Sequence, residues 1–186
     1  TVVDKEVLAV LEQTAKQLEA MGHRVVPAEP NINIEQFWHD FMVVVCTHTA
    51  FTIDDIERHY GAHHVKKLEP QTQNMALLGR SLSAVDLAHA KQGWHNSQYQ
   101  TGLLLETYDM ILCPTVPTPA VKHGVLPPSV MDEMLMRSAE LLNKSIDMGK
   151  YAFSSGMIEK LSHPVLSKMA FTLLGNVTGL PAVSVP

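Results

Sequence analysis

Phe171-Thr172-Leu173-Leu174-Gly175-Asn176-Val177-Thr178-Gly179-Leu180-Pro181-Ala182-Val183-Ser184-Val185-Pro186 closes the sequence. Gly179 and Pro181 read as a tight turn. The short β-rich run 182–185 behind them reads as a buried strand entering a sheet. Asn176 stands at that corner, where an Asn side chain bonds nearby backbone and holds a loop. A domain seldom finishes on its own central strand, and the first residue is Thr1 rather than Met. The chain therefore reads as cut.

The same alternation of helix and strand recurs upstream. Asp4 is an N-cap for a helix with Val7, Leu8, Leu11, Ala15, Leu18 and Met21 on one face, and Gly22 is its stop. Arg24-Val25-Val26 follows as a short strand ended by Pro27 and Pro30. The apolar run Tyr108-Asp109-Met110-Ile111-Leu112-Cys113, closed by Pro114 and Thr115, has a strand signature. Pro114, Pro117 and Pro119 then enforce an extended loop. The spacing predicts a helix over 34–60, apolar nearly all round (Phe37, Trp38, Phe41, Met42, Val45) and so deeply buried. After a polar break at 61–70 comes a helix over 83–107, with Leu87, Ala90, Trp94, Gln98, Leu103 and Leu105 on its inner side. A Met- and Leu-rich helix over 129–147 and a mixed stretch over 156–174, broken at Pro164, complete the pattern. With no linker in sight, 1–186 reads as one piece of one α/β domain, a mixed sheet covered by helices on both faces.

Composition sets limits on function. The 186 residues are 46% hydrophobic and 18% charged, a globular balance. A net charge of -5 offers no electrostatic footprint for nucleic acid or an anionic membrane. No signal peptide opens the chain and no apolar run reaches a membrane span, so the cytoplasm is the expected location. Cys46 and Cys113 both sit in apolar surroundings and read as core thiols.

Ten histidines raise the question of a metal. His59 and His63 are four apart, but Gly61 lies between them and no HExxH pattern is completed. His39, His48, His89 and His95 have no partner at useful spacing, so no metal is expected. Ser154-Ser155-Gly156 is the one serine pair that imitates a nucleophile site. It has a single glycine beside Phe153 and Met157, without the surroundings a nucleophilic serine needs, and reads as a helix start or loop. Spacing alone yields no catalytic constellation.

Three segments resemble the amidase-signature family of amide hydrolases. The first is Leu18-Glu19-Ala20-Met21-Gly22-His23-Arg24-Val25-Val26 with Pro30. The second is Glu106-Thr107-Tyr108-Asp109-Met110-Ile111-Leu112-Cys113-Pro114-Thr115 with Pro117, Pro119 and Ala120. The third, and most specific, is the closing stretch 171–186. They occur in the family's order and at about its separations, and residues 79–90 (GRSLSAVDLAHA) resemble it as well.

The resemblance implies amide hydrolysis through an acyl-enzyme, with a serine nucleophile, a second serine in a cis peptide and a lysine base. In the family these lie in or before a Gly-Gly-Ser-Ser-Gly-Gly stretch, which this sequence does not contain. The chain is thus expected to be the C-terminal portion of the domain, inactive alone and partnered by the missing N-terminal part, with a homo-oligomer also open. It would supply walls of a substrate pocket for a small amide, linear or cyclic, with Cys46, Thr115 and Asn176 as contacts and no cofactor. Met169 stands seven before Asn176, where the glutamine-using branch carries an acidic residue, which favours an apolar amide over free glutamine. A non-catalytic scaffold keeping the family's C-terminal fold is the alternative.

Overall fold

The computed structural model describes residues 2–120 and 146–185, and every regular element among them is helical. Helix α1 (Lys5–Ala20) starts where the Asp4 carboxylate accepts the Glu6 backbone N–H at 2.8 Å. It stops before Gly22, whose φ of 96° suits a residue without a Cβ. Val7, Leu11, Ala15 and Leu18 are half-buried at helical spacing, while no α1 residue is fully buried.

The longest helix, α2 (Ile34–Tyr60), is capped by Asn33, which accepts the Gln36 N–H at 3.1 Å. Its buried residues, among them Phe37, Trp38, Val43, Cys46 and Ile53, occupy several faces, as a helix apolar nearly all round requires. A short α3 (Ala62–Val65) follows Gly61. Helix α4 (Pro70–Arg80) begins with proline at its first position, where the missing N–H is unneeded. It packs on α2 through Ala50, Ile53 and Ala76, with Val65 and Leu68 against them. At the tightest point Gly79 abuts the Cys46 carbonyl so closely that any Cβ would overlap it. Arg80 reaches back to Asp54 at 2.5 Å.

Helix α5 (Ala84–Leu105) opens with a reciprocal cap between Ser83 and Asp86. Those bonds from the Ser83 side chain and backbone hold the Asp86 carboxyl below its ordinary pKa. Helices α6 (Ile146–Ser154) and α7 (Met157–Leu166), a 3₁₀ turn (Ser167–Met169) and α8 (Ala170–Thr178) complete the chain. These elements gather into two compact units, one from 33–94 with 146–163 and the other from 2–32, 95–120 and 164–185.

The helices over 5–20, 34–60 and 84–105 match the expectation from sequence, α4 was not foreseen, and the α/β sheet is overturned. Among the described residues, 24–26, 108–115 and 182–185 form no strand. A helix satisfies its backbone groups within its own segment, but a strand needs a second strand in register. These three short runs find none among the described residues, and 109–113 and 182–185 lie largely in solvent. Met110 is 76% exposed and Val183 86% exposed, so the apolar character that suggested buried strands has no cover. Two local readings change with it. Asn176 lies within α8 rather than at a corner, Gly179 serving as the left-handed stop (φ 69°). Pro164 falls inside α7 instead of breaking it. The expected helix over 129–147 lies mostly outside the described residues.

Candidate functional site

Of the three residues expected at a substrate pocket, Cys46 is the one inside a core. It is fully enclosed in α2, and burial pushes its thiol up to about 12. A thiol so placed stays protonated and inert near neutral pH. Cys113, expected to be a second core thiol, is exposed.

Thr115 and Asn176 share the other unit. Thr115 is exposed and its hydroxyl lies 2.9 Å from that of Ser184, so the proline-rich loop and the closing run 182–185 meet there. The loop is also tied to the start of α1, where the Asp4 N–H donates to the Pro117 carbonyl at 2.8 Å. Asn176 is exposed on α8, and Gln98 of α5 donates to the neighbouring Val177 carbonyl at 3.1 Å. The second and third segments are therefore brought together, with Cys46 in the separate unit.

One turn from Cys46, α2 presents a groove of about 380 Å³. Val45, His48, Thr49, Thr52, Ile53 and Ile56 line it at spacings of three and four, which is one helix face. Leu68 and Thr72 form the opposite side. The Thr49 hydroxyl is taken up by the Val45 carbonyl at 2.7 Å, and Thr72 donates to the Glu69 carboxylate at 3.4 Å. His48 and Thr52 have no partner for their polar atoms among the described residues.

Sequence reasoning also missed Asp40. Its carboxyl is buried, with one oxygen accepting from Gln36 Nε2 at 2.9 Å and the other pressed against Gly93. Burial raises its pKa, against the opposing pull of the Gln36 bond and His39. Gly93 is the readable signal here, because a glycine inside a helix implies close approach by a neighbour.

The serine pair, expected at a helix start or in a loop, lies instead at the end of a helix. Ser154 donates to the Tyr151 carbonyl at 3.2 Å and Ser155 to the Ala152 carbonyl at 3.3 Å, both at the end of α6. The histidines are scattered: His59 pairs with Asp55 at 3.1 Å and His95 with Gln98 at 3.0 Å. His39 meets the Phe153 ring edge-on. No group of three or more potential ligands among the described residues fits a metal ion. No helix among them is long and apolar enough to cross a membrane.

The family model for the amidases matches residues 1–149, and the chain belongs to that family. The matched region takes in the first two segments with Cys46 and Thr115, while Asn176 and the closing stretch lie beyond it. No curated protein and no solved structure matches the chain. Membership carries the general chemistry of the class, hydrolysis of an amide.

Proposed function

We propose that residues 1–186 are the pocket-lining part of an amide hydrolase whose serine nucleophile, bridging serine and lysine base lie outside them. The observation that carries this reading is an amidase match over 1–149 in a sequence without the Gly-Gly-Ser-Ser-Gly-Gly stretch. In the whole enzyme the lysine draws a proton through the bridging serine. The activated serine attacks the amide carbonyl, the amine leaves with a proton, and water hydrolyses the acyl-enzyme. Thr115 and Asn176, both exposed in one unit, contact substrate in this reading. Met169 offers an ammonium no counter-charge, which favours an apolar linear or cyclic amide over free glutamine. The partner is the N-terminal part of the same fold, in the cytoplasm.

The test compares two proteins. Residues 1–186 alone should release no ammonia from hexanamide. The same residues, expressed in frame with an upstream Gly-Gly-Ser-Ser-Gly segment from their own gene, should hydrolyse it and ignore free glutamine. Turnover by residues 1–186 alone, or a gene without such a segment, would overturn the proposal.

A further inference from the structure

We infer that the outer stripe of α5 is a self-complementary docking surface, on which a second copy of the chain lies antiparallel about a two-fold axis. Val85, His89, Gln92, Asn96, Tyr99 and Leu103 succeed one another at steps of four and three, so they form one line along the helix. All six are exposed, and Val85 and Tyr99 each keep 63% of their surface in solvent. Such a line is the seam by which one helix meets another. The buried Ala90, Ser97 and Thr101 face the chain's own interior.

The order along the stripe selects the partner. Turned end for end about the level of Trp94, the stripe falls on itself with like facing like. Val85 meets the partner's Leu103, His89 the partner's Tyr99, and Gln92 the partner's Asn96, each contact being made twice. The outer layers are then apolar on apolar. The next set an imidazole against a phenol, which between them supply donor and acceptor. The central layers set carboxamide against carboxamide, and neither Gln92 nor Asn96 has a partner for its side chain among the described residues. No Lys, Arg, Asp or Glu stands on the stripe, so a chain of net charge -5 can meet its copy along a neutral line. Antiparallel helices also oppose their dipoles favourably. Sliding the pair by one heptad sets Val85 on an Asn96 or Leu103 on a Gln92, and leaves two members of the stripe beyond the end of α5. A protein of unrelated sequence would not repeat this order in reverse.

The contact is small. Helix α5 has 22 residues, about 33 Å, and one helix pair falls among interfaces below about 1,200 Å². A dimer with a dissociation constant on the order of 100 micromolar is expected. The exposed runs 109–113 and 182–185 are a different surface, so the test uses the 186-residue chain carrying Met110→Lys and Val183→Lys, with Cys113→Ser to remove the exposed thiol. Gln92→Cys and Asn96→Cys are introduced into separate chains, which are mixed and oxidised. The disulfide joining one variant to the other should predominate, since only facing residues come within bridging distance. In sedimentation equilibrium, Tyr99→Glu and Val85→Glu should each weaken the dimer at least about tenfold, because each places its charge in the seam twice. Phe51→Glu, at an equally exposed position on α2, should leave it unchanged. Disulfides that join like variants would show a parallel pair and overturn the arrangement. Absence of a dimer, a dimer indifferent to both glutamates on α5, or an equal loss in Phe51→Glu would overturn the surface itself.

Discussion

Asp40 is a carboxyl that folding removes from water with, among the described residues, a hydrogen bond from Gln36 in return. Its folded pKa is raised, burial being the main cause, above the unfolded value of about 3.9. The native state therefore holds its proton to higher pH than the unfolded state does. The protonated carboxyl suits the buried site, and that advantage is whole below about pH 4 and is lost as pH rises through the folded pKa. Asp40→Asn keeps an oxygen for Gln36 and cannot ionise. Its urea midpoint, measured against that of the wild type, should improve as pH rises above about 4 and level off once the folded pKa is passed, and a constant difference would contradict the assignment. The two thiols give a second prediction at this scale. Iodoacetamide should label exposed Cys113 in the native chain and spare Cys46, whose thiol is enclosed and held near 12. Mass spectrometry of the alkylated chain reads this directly, and rapid native labelling of Cys46 would mean that α2 opens. Little of this was legible beforehand. The local sequences around Cys46 and Cys113 are equally apolar, and only the packing of α4 onto α2 distinguishes them.

The helices over 5–20, 34–60 and 84–105 were legible because their determinants are local, whereas α4 was not foreseen. Asp4, Asn33 and Ser83 cap the starts, Gly22, Gly61 and Gly179 mark the stops, and the apolar spacing between them gives the inner faces. The strands were misread for the complementary reason. The pattern of 110–113 states what such a run wants to bury, and pairing depends on a partner that local sequence does not specify. Helix contacts leave sharper traces. Gly79 and Gly93 both allow close approach, but against different neighbours: a backbone carbonyl at Cys46 in one case, the movable Asp40 carboxyl in the other. A carbonyl inside a helix cannot step aside, whereas a side chain can rotate at some loss of its Gln36 bond. Overpacking a core typically costs about 1–3 kcal/mol, occasionally more. Gly79→Ala should sit at or above the top of that range, and Gly93→Ala nearer the bottom. Urea denaturation of the two variants compares them, and a larger loss at Gly93 would refute the rigid crossing of α2 and α4.

The molecule as a whole joins a family match with two helical units and, among the described residues, two apolar runs exposed to solvent. The candidate pocket residues divide along the same lines: Cys46 lies in one unit, Thr115 and Asn176 in the other. Sequence alone identified the chemistry class through motif order. The groove at His48 and Thr52 escaped it, because Leu68 and Thr72 form its far side and their position against α2 is not written in local sequence. The uncovered runs carry the last prediction. Backbone with no strand partner among the described residues, carrying exposed Met110, Ile111, Val183 and Val185, offers a surface for pairing with another chain. The Thr115–Ser184 contact holds two of these runs in one unit, so a second copy can add to both together. Residues 1–186 should accordingly self-associate at micromolar concentration in sedimentation velocity. A lysine at an exposed edge opposes such pairing through charge and solvation. Met110→Lys combined with Val183→Lys should shift the population toward monomer while leaving the far-UV helical signal unchanged, because neither residue is buried or helical. A wild-type chain that stays monomeric and unfolds in one cooperative step would show that these runs do not recruit a partner. Association unaffected by the two lysines would assign it to another surface.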